Sequence, residues 1–85
     1  MHDEWITEEW QSYTKELGLA LQRARDKAGF SQECVAGKAD ISTYTYQKLE
    51  KGESNPGTPA NPRLRTLAAL SRALDVPLKE LLPKQ

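Results

Sequence analysis

Cysteine, histidine and long apolar runs are scarce in this sequence of 85 residues. The single cysteine, Cys34, excludes an internal disulfide, and one thiol cannot hold a metal ion alone. Because the apolar runs are only a few residues long, we expect neither a membrane span nor a signal peptide. These absences predict one small cytoplasmic domain without a cofactor or a bound metal.

Arrangements typical of catalysis are missing as well. The one histidine, His2, stands at the start of the chain, and no serine or cysteine is paired with a plausible base. There is no glycine-rich phosphate loop. We therefore predict that the protein is not an enzyme and takes no small-molecule substrate.

The chain carries no net charge, but its charges are unevenly distributed. Residues 1–16 contain five acidic residues and one lysine, a net charge of −4. The remainder contains eleven Lys or Arg and seven Asp or Glu, a net charge of +4. This asymmetry predicts an acidic leader on a mildly basic body, and the body is the part to test for an anionic partner.

The first half of the chain has the pattern of three helices. Apolar residues that recur every three or four positions predict a first helix, which Thr7 caps and Gly29 ends. Ser31 and Ser42 are placed to cap the second and third helices, and Gly52 to end the third. No segment alternates as a strand would, so the sequence predicts an all-α fold.

The second half opens with ESNPGTPANP, residues 53–62, which has three prolines and one glycine and predicts a loop. Asn61 followed by Pro62 predicts the start of a fourth helix, with proline at its first position. The apolar stripe of this helix is predicted to contain Leu64, Leu67, Ala68, Leu70, Ser71 and Leu74. After Asp75-Val76-Pro77 breaks it, a fifth, short helix is predicted to hold Leu78, Leu81 and Leu82.

The third predicted helix has an unusual face. All seven residues from Ser42 to Lys48 are polar or aromatic, and all except Tyr46 are suited to an external partner. Thr43, Tyr44, Gln47 and Lys48 offer a methyl and hydroxyl, a ring, an amide and a cation, the groups that read base edges in the DNA major groove. The polar face is therefore suited to base contacts by these four residues, and the alternative is an ordinary solvated helix face.

Several motifs occur in a fixed order around this helix. Ser31-Gln32 opens the second helix, Ala36 is a small residue where two helices cross, and Leu49–Gly52 reads LEKG. A closing LAALSRALDVPLKELL follows. Together they resemble the helix-turn-helix domain of the phage repressor and Cro family, the xenobiotic-response-element type, from about residue 17 to 82. The resemblance implies a compact five-helix bundle in residues 17–85, with residues 1–16 as an added acidic leader or helix extension.

The resemblance also implies roles for individual residues. Thr43, Tyr44 and Lys48 match positions that reach bases, and Gln32 matches one that grips phosphate and supports the recognition helix. Arg25 and Glu50 match residues that form an ion pair in the family. The residues expected to contact phosphates are Gln32, Ser42, Lys51, Asn55, Arg63 and Arg65.

The sequence departs from the family pattern in four places. Asp40 stands in the turn where the family usually has glycine, so we expect a slightly altered or strained turn. Tyr46 replaces a β-branched core residue, which implies a larger pocket or a tilted helix. The loop of residues 53–62 is longer than usual, and the leader with Trp5, Ile6 and Trp10 is extra.

The family resemblance implies a transcriptional regulator that binds double-stranded DNA, as a homodimer on an inverted repeat. Its class is open between phage repressor, restriction–modification controller, antitoxin-type autorepressor and housekeeping regulator. The alternative is a protein-interaction module of the same fold with little DNA affinity, for example an antitoxin-like or docking subunit, which the zero net charge favours. In either reading the acidic leader is a candidate surface for a protein partner. The candidate dimer residues are Trp5, Trp10, Leu78, Leu81 and Leu82.

Overall fold

A computed structural model describes residues 8–84, which form five α-helices and one short β-hairpin. The helices are α1 (Trp10–Ala28), α2 (Gln32–Ala39), α3 (Thr43–Lys51), α4 (Leu64–Leu74) and α5 (Leu78–Leu81). The antiparallel strands are β1 (Glu53–Asn55) and β2 (Thr58–Pro59). The predicted five-helix bundle is confirmed. The predicted cap Thr7 lies outside the described residues, as does Trp5.

The ends of α2 and α3 follow from their capping residues. The Ser31 hydroxyl accepts a hydrogen bond from the Cys34 N–H at 3.0 Å, and the Ser42 hydroxyl accepts one from the Thr45 N–H at 3.0 Å. Gly52 ends α3 in the left-handed region, with φ 78°. Glycine adopts this conformation without steric cost, so the predicted stop is used as expected.

The turn between α2 and α3 contains a left-handed aspartate. Asp40 has φ 60° and ψ 43°, and its N–H bonds the Ala36 and Gly37 carbonyls at the end of α2. A side chain in this region costs roughly 1–2 kcal/mol relative to the right-handed one, and aspartate tolerates it better than most residues. The turn thus keeps a conformation suited to glycine, with the strain expected from the sequence.

The core is one cluster to which every helix contributes. α1 packs against α3, α2 against α4, and α5 against both α1 and α4. Tyr46, the largest fully buried side chain, fills the centre from α3. The buried apolar residues are Leu17, Leu21, Val35, Ala36, Ala39, Tyr46, Leu49, Ala60, Leu70, Leu74 and Leu81.

Two glycines allow α1 to approach the end of α3 closely. A Cβ on Gly18 would overlap the Glu50 carbonyl group and lie 2.8 Å from the Leu49 carbonyl oxygen. A Cβ on Gly52 would lie 2.9 Å from the Lys15 Cα. The backbone of α1 therefore packs directly on the backbone at the end of α3, and this close spacing requires glycine at both positions.

The prediction of a plain loop for residues 53–62 was wrong in part, because the segment holds the β-hairpin. Gly57, with φ 81°, makes the turn. Pro59 lies in a two-stranded sheet, where a residue without an N–H is tolerated at an edge. The strands are too short to show an alternating pattern, which explains why the sequence did not predict them.

The predicted start of the fourth helix was also wrong. α4 begins at Leu64 with Arg63 as its N-cap, rather than at Pro62 after an Asn61 cap. Ala60 fixes the preceding chain, because its N–H bonds the Gly52 carbonyl at 2.9 Å and its carbonyl accepts from the Trp10 indole at 3.0 Å. The chain therefore remains extended until it has passed the hairpin.

The predicted apolar stripe of α4 was wrong at two of its residues. Leu64, assigned to that stripe, is 70% exposed, and Ala68 is exposed too. Ala69 and Ala73 pack against the core instead. The late start of α4 explains the error at Leu64, because a first-turn residue overhangs the end of the core.

Candidate nucleic-acid interface

The face of α3 that points away from the core carries all four predicted base-reading residues. At 100° per residue, Thr43, Gln47, Lys51, Tyr44 and Lys48 follow one another over an arc of about 140°. The buried side chains Tyr46 and Leu49 occupy the opposite side. The fold thus brings the predicted residues together on one outward surface, which we call the α3 outer face.

An ion pair connects α1 to the C-terminal half of α3. Arg25 Nε donates to Glu50 Oε2 at 2.6 Å, and Arg25 Nη2 donates to Glu50 Oε1 at 3.2 Å. The two side chains are only 15% and 7% exposed, so the pair is largely shielded from water. A third hydrogen bond, from Arg25 Nη1 to the Phe30 carbonyl at 3.1 Å, connects the ion pair to the turn between α1 and α2. The structure therefore places Arg25 and Glu50 in the contact that the family resemblance implied.

Gln32 extends this network to the α3 outer face. Its Nε2 donates to Glu50 Oε1 at 2.9 Å, and its Oε1 accepts from Gln47 Nε2 at 3.2 Å. Since a carboxylate only accepts, the amide of Gln32 must turn its nitrogen to Glu50 and its oxygen to Gln47. Gln32, at the first position of α2, thereby braces the middle of α3.

The network sets the ionisation of the groups around Glu50. Burial alone would raise the pKa of Glu50, but its hydrogen bonds to Arg25 and Gln32, together with the charge of Arg25, outweigh it, so the pKa of Glu50 is lowered. Burial raises the pKa of Tyr46, and the adjacent Glu50 carboxylate raises it further. At neutral pH the carboxylate is therefore ionised and the phenol neutral, which is the state the ion pair needs.

We expect this network to make folding sensitive to acid. A folded-state pKa below the unfolded value, ordinarily 4.5 for Glu50, adds stability that is fully present above about pH 4.5 and is lost as pH falls through the folded pKa. Urea unfolding of the wild type and of Glu50→Gln, from pH 7 to pH 3, measures this. The stability of Glu50→Gln should fall less steeply below about pH 4.5. Equal slopes for the two proteins would contradict this role for Glu50.

The opposite edge of the α3 outer face holds a second side-chain pair. The Lys48 ammonium lies over the Tyr44 ring, 4.5 Å from its centroid, and Tyr44 is 65% exposed. Ser42 is occupied by its capping role and also donates to the Thr45 hydroxyl at 2.8 Å. Tyr44 and Lys48 were predicted as separate base contacts and not as a pair, although residues four apart on a helix are neighbours on its surface.

The predicted phosphate contacts fall into two groups. Gln32 and Lys51 line an open cleft of about 640 Å³ beside the α3 outer face. The other residues of this cleft are Gln22, Arg25, Ser31, Gln47 and Glu50. Gln22, on α1, was missed by the sequence analysis because it matches none of the quoted motifs.

The remaining phosphate candidates lie elsewhere. Asn55 is exposed on the hairpin, and Arg63 is exposed just before α4. Arg65, the second residue of α4, lines a groove beside the end of α2 together with Lys38 and Arg72. The cleft beside the α3 outer face does not include these three residues.

The candidate dimer residues differ in how far the protomer itself buries them. Leu81 is 1% exposed and belongs to the protomer's own core, so its assignment to a dimer surface is corrected. Leu78 is half-buried, and Leu82 packs partly against the core. Trp10 stacks on Tyr13 with ring centroids 5.3 Å apart, in addition to its bond to Ala60. Trp10 is therefore engaged, at least in part, in covering its own domain.

Two further observations concern residues 8–84. Within this range, no three His, Cys, Asp or Glu side chains are grouped so that they could hold a metal ion. None of the helices described there combines the length and apolarity that crossing a bilayer requires.

Comparison with known proteins connects this geometry to a family. The family profile described as "Helix-turn-helix domain" matches residues 16–83. No curated protein matches the sequence. The restriction-modification controller protein C.AhdI from Aeromonas hydrophila superposes with a TM-score of 0.73 at 25% identity, over 84% of this chain and 98% of that one.

A second similar structure is the clp gene regulator ClgR from Corynebacterium glutamicum. It superposes with a TM-score of 0.69 at 22% identity, over 81% of this chain and 82% of that chain. At this identity it shows the fold alone. The helix-turn-helix family match and the likeness to a restriction-modification controller protein support a DNA-binding transcriptional regulator.

Proposed function

The chain belongs to the helix-turn-helix domain family, and from this premise we propose that it is a sequence-specific transcriptional regulator of double-stranded DNA. It acts in the cytoplasm as a homodimer on an inverted repeat. α3 enters the major groove, and Thr43, Tyr44, Gln47 and Lys48 face the base pairs. The single observation that carries the proposal is the α3 outer face, whose side chains are polar, solvent-facing and braced from behind by Gln32.

The groove dimensions fit this arrangement. The major groove of B-DNA is about 12 Å wide and admits one α-helix. The first N–H groups of a helix have no acceptor within the helix, so the starts of α2 and α3 favour phosphate oxygens beside the groove. In a dimer, two copies of α3 would read half-sites about 34 Å apart on one side of the duplex.

The dimer surface proposed here uses the C-terminal end of the chain. Leu78 and Leu82 remain partly accessible after folding, unlike Leu81. The acidic leader of residues 1–16, which contains Trp5, is the second candidate for the dimer surface and a candidate contact for a protein partner.

A protein-interaction module of the same fold is the second candidate function. The zero net charge of the chain favours it, since a strong DNA binder usually carries excess positive charge. Salt dependence separates the two functions. If Lys51, Arg63 and Arg65 each meet a phosphate, log affinity falls against log salt with a slope of about −3 per protomer. A mainly apolar protein interface would be nearly independent of salt.

Paired substitutions test the proposed division between base and phosphate contacts. Lys48→Ala should weaken binding to the preferred site by about 1–3 kcal/mol and relax the preference at one base pair. Arg63→Ala is the matched control, because a lost phosphate contact should weaken all sequences alike and reduce the salt slope by about 1. Titrations of specific and scrambled duplexes measure both. If both variants lose affinity equally on every sequence, the assigned roles are wrong.

A further inference from the structure

The Tyr44–Lys48 pair lies where a cation would not be expected. Tyr44 is the second residue of α3, and the side chain of Lys48 reaches back one turn toward the start of the helix to place its ammonium over the ring. The start of a helix carries a partial positive charge, which repels cations. Without another attraction, the Lys48 side chain would therefore hold its ammonium away from the N-terminus of α3.

The aromatic ring offsets this repulsion. The face of an aromatic ring is electronegative and attracts an ammonium within about 6 Å of its centroid. In the Tyr44–Lys48 pair the separation is 4.5 Å. Among residues 8–84, no carboxylate lies within ion-pair distance of Lys48, so the ring is the partner that the structure gives its charge. The ammonium is therefore oriented without being neutralised.

A cation held in this way has one kind of target. An ammonium donates up to three hydrogen bonds and accepts none, so it selects surfaces that present only acceptors. In the major groove, guanine presents two acceptors side by side, O6 and N7, whereas adenine presents an acceptor beside a donor. A lysine near the start of the helix in the groove is thus suited to guanine.

We propose that Tyr44 is a positioning residue that holds the Lys48 ammonium for the O6 and N7 atoms of a guanine. The inference rests on the proposed function and changes the role of Tyr44, whose ring supports Lys48 and whose hydroxyl is not required. Orienting a long flexible side chain before binding lowers the entropy lost on association. The pair then acts as one reading unit at one base pair.

Two variants at the exposed Tyr44 and one at the half-buried Lys48 test the inference, and we expect all three to fold because neither side chain belongs to the core. Tyr44→Phe keeps the ring face, whereas Tyr44→Leu keeps an apolar side chain without it. In selections from random duplex DNA, the wild type and Tyr44→Phe should prefer the same guanine to within about twofold. Tyr44→Leu should reduce that preference about 3- to 30-fold, as expected for loss of a cation–π contact. Lys48→Met should abolish it while leaving the other positions of the site readable.

Three results would contradict the inference, and the last of them would also contradict the proposed function. If Tyr44→Phe loses the preference as fully as Tyr44→Leu, the hydroxyl makes the contact and the inference is wrong. If the wild type enriches a site and Tyr44→Leu leaves every position unchanged, the inference is also wrong but the proposed function stands. If the wild type enriches no sequence, the proposed function itself fails, and the inference fails with it.

A measurement on the free protein tests the contact without DNA. A ring above the ammonium shifts the NMR signals of the Lys48 ε-protons upfield. The shift should persist in Tyr44→Phe and disappear in Tyr44→Leu. Identical Lys48 signals in all three proteins would show that the pair does not form in solution, and would overturn the inference.

Discussion

Replacing Arg25 by methionine is expected to lower the free energy of unfolding by about 3 kcal/mol at pH 7. The substitution leaves Glu50, whose side chain is 7% exposed, without its charged partner. A buried charge that loses its partner typically costs 3–5 kcal/mol, roughly as much as many single core deletions. The carboxyl can instead take up a proton, which from its ordinary pKa of 4.5 costs about 3.4 kcal/mol at pH 7. This protonation limits the loss.

The control is the double substitution Arg25→Met with Glu50→Leu. It removes both charges and leaves an apolar pair of similar size, an exchange that is often neutral or stabilising. Urea denaturation of the wild type, the single variant and the double variant measures the three stabilities. The double variant should recover most of the lost stability. A double variant as unstable as the single one would show that the loss comes from packing and not from an isolated carboxylate.

Replacing Gly18 by alanine should lower the free energy of unfolding by about 1–2 kcal/mol. The new Cβ would overlap the Glu50 carbonyl group and crowd the Leu49 carbonyl, both of them backbone atoms that cannot rotate away. α1 and α3 must separate to admit it, and overpacking of this kind typically costs 1–3 kcal/mol. The gain in helix propensity, about 1 kcal/mol, only partly compensates.

Gly37 provides a matched control for this substitution. It also lies in a helix, α2, but a Cβ there would meet no atom within 4 Å. Gly37→Ala should therefore raise the free energy of unfolding by about 0.5–1 kcal/mol. Thermal or urea unfolding compares the two variants. If both alanines stabilise the protein, the close approach of α1 and α3 does not constrain this fold.

Much of the architecture was predictable because local chemistry fixes it. Ser31 and Ser42 cap the starts of α2 and α3, and Gly52 ends α3. Each of these residues satisfies backbone groups only a few residues away. The helices that they delimit therefore appear where the sequence predicts them. The contact of Arg25 with Glu50, 25 residues apart, could be anticipated only through the family resemblance.

The features that were missed depend on contacts between distant segments. The start of α4 is set by Ala60, which is held by Gly52 and by Trp10 from the other end of the chain. Leu81 was assigned to a dimer surface because the family resemblance implies dimerisation through the last helix, and the apolar residues of so short a helix do not show which of its faces the core covers. The importance of Gly18 depends on the α3 backbone beside it, and no local pattern reports that neighbour.

The candidate site could also be predicted from the sequence only in part. The polar composition of α3 identified its outer face, since a helix that packs on both sides would carry apolar residues there instead. Composition did not show which residues act together. The connection of Gln47 to Glu50 through Gln32, and the position of Lys48 over Tyr44, appear only when the side chains are placed in space.

The proposal that α3 reads DNA is tested most directly by selecting random duplexes with the purified protein at moderate salt. We expect enrichment of an inverted repeat whose half-site centres lie about one helical turn, or 10–10.5 base pairs, apart. One position in each half-site should depend on Lys48. If the folded protein enriches no sequence, α3 does not read base pairs, and a protein partner becomes the ligand to seek.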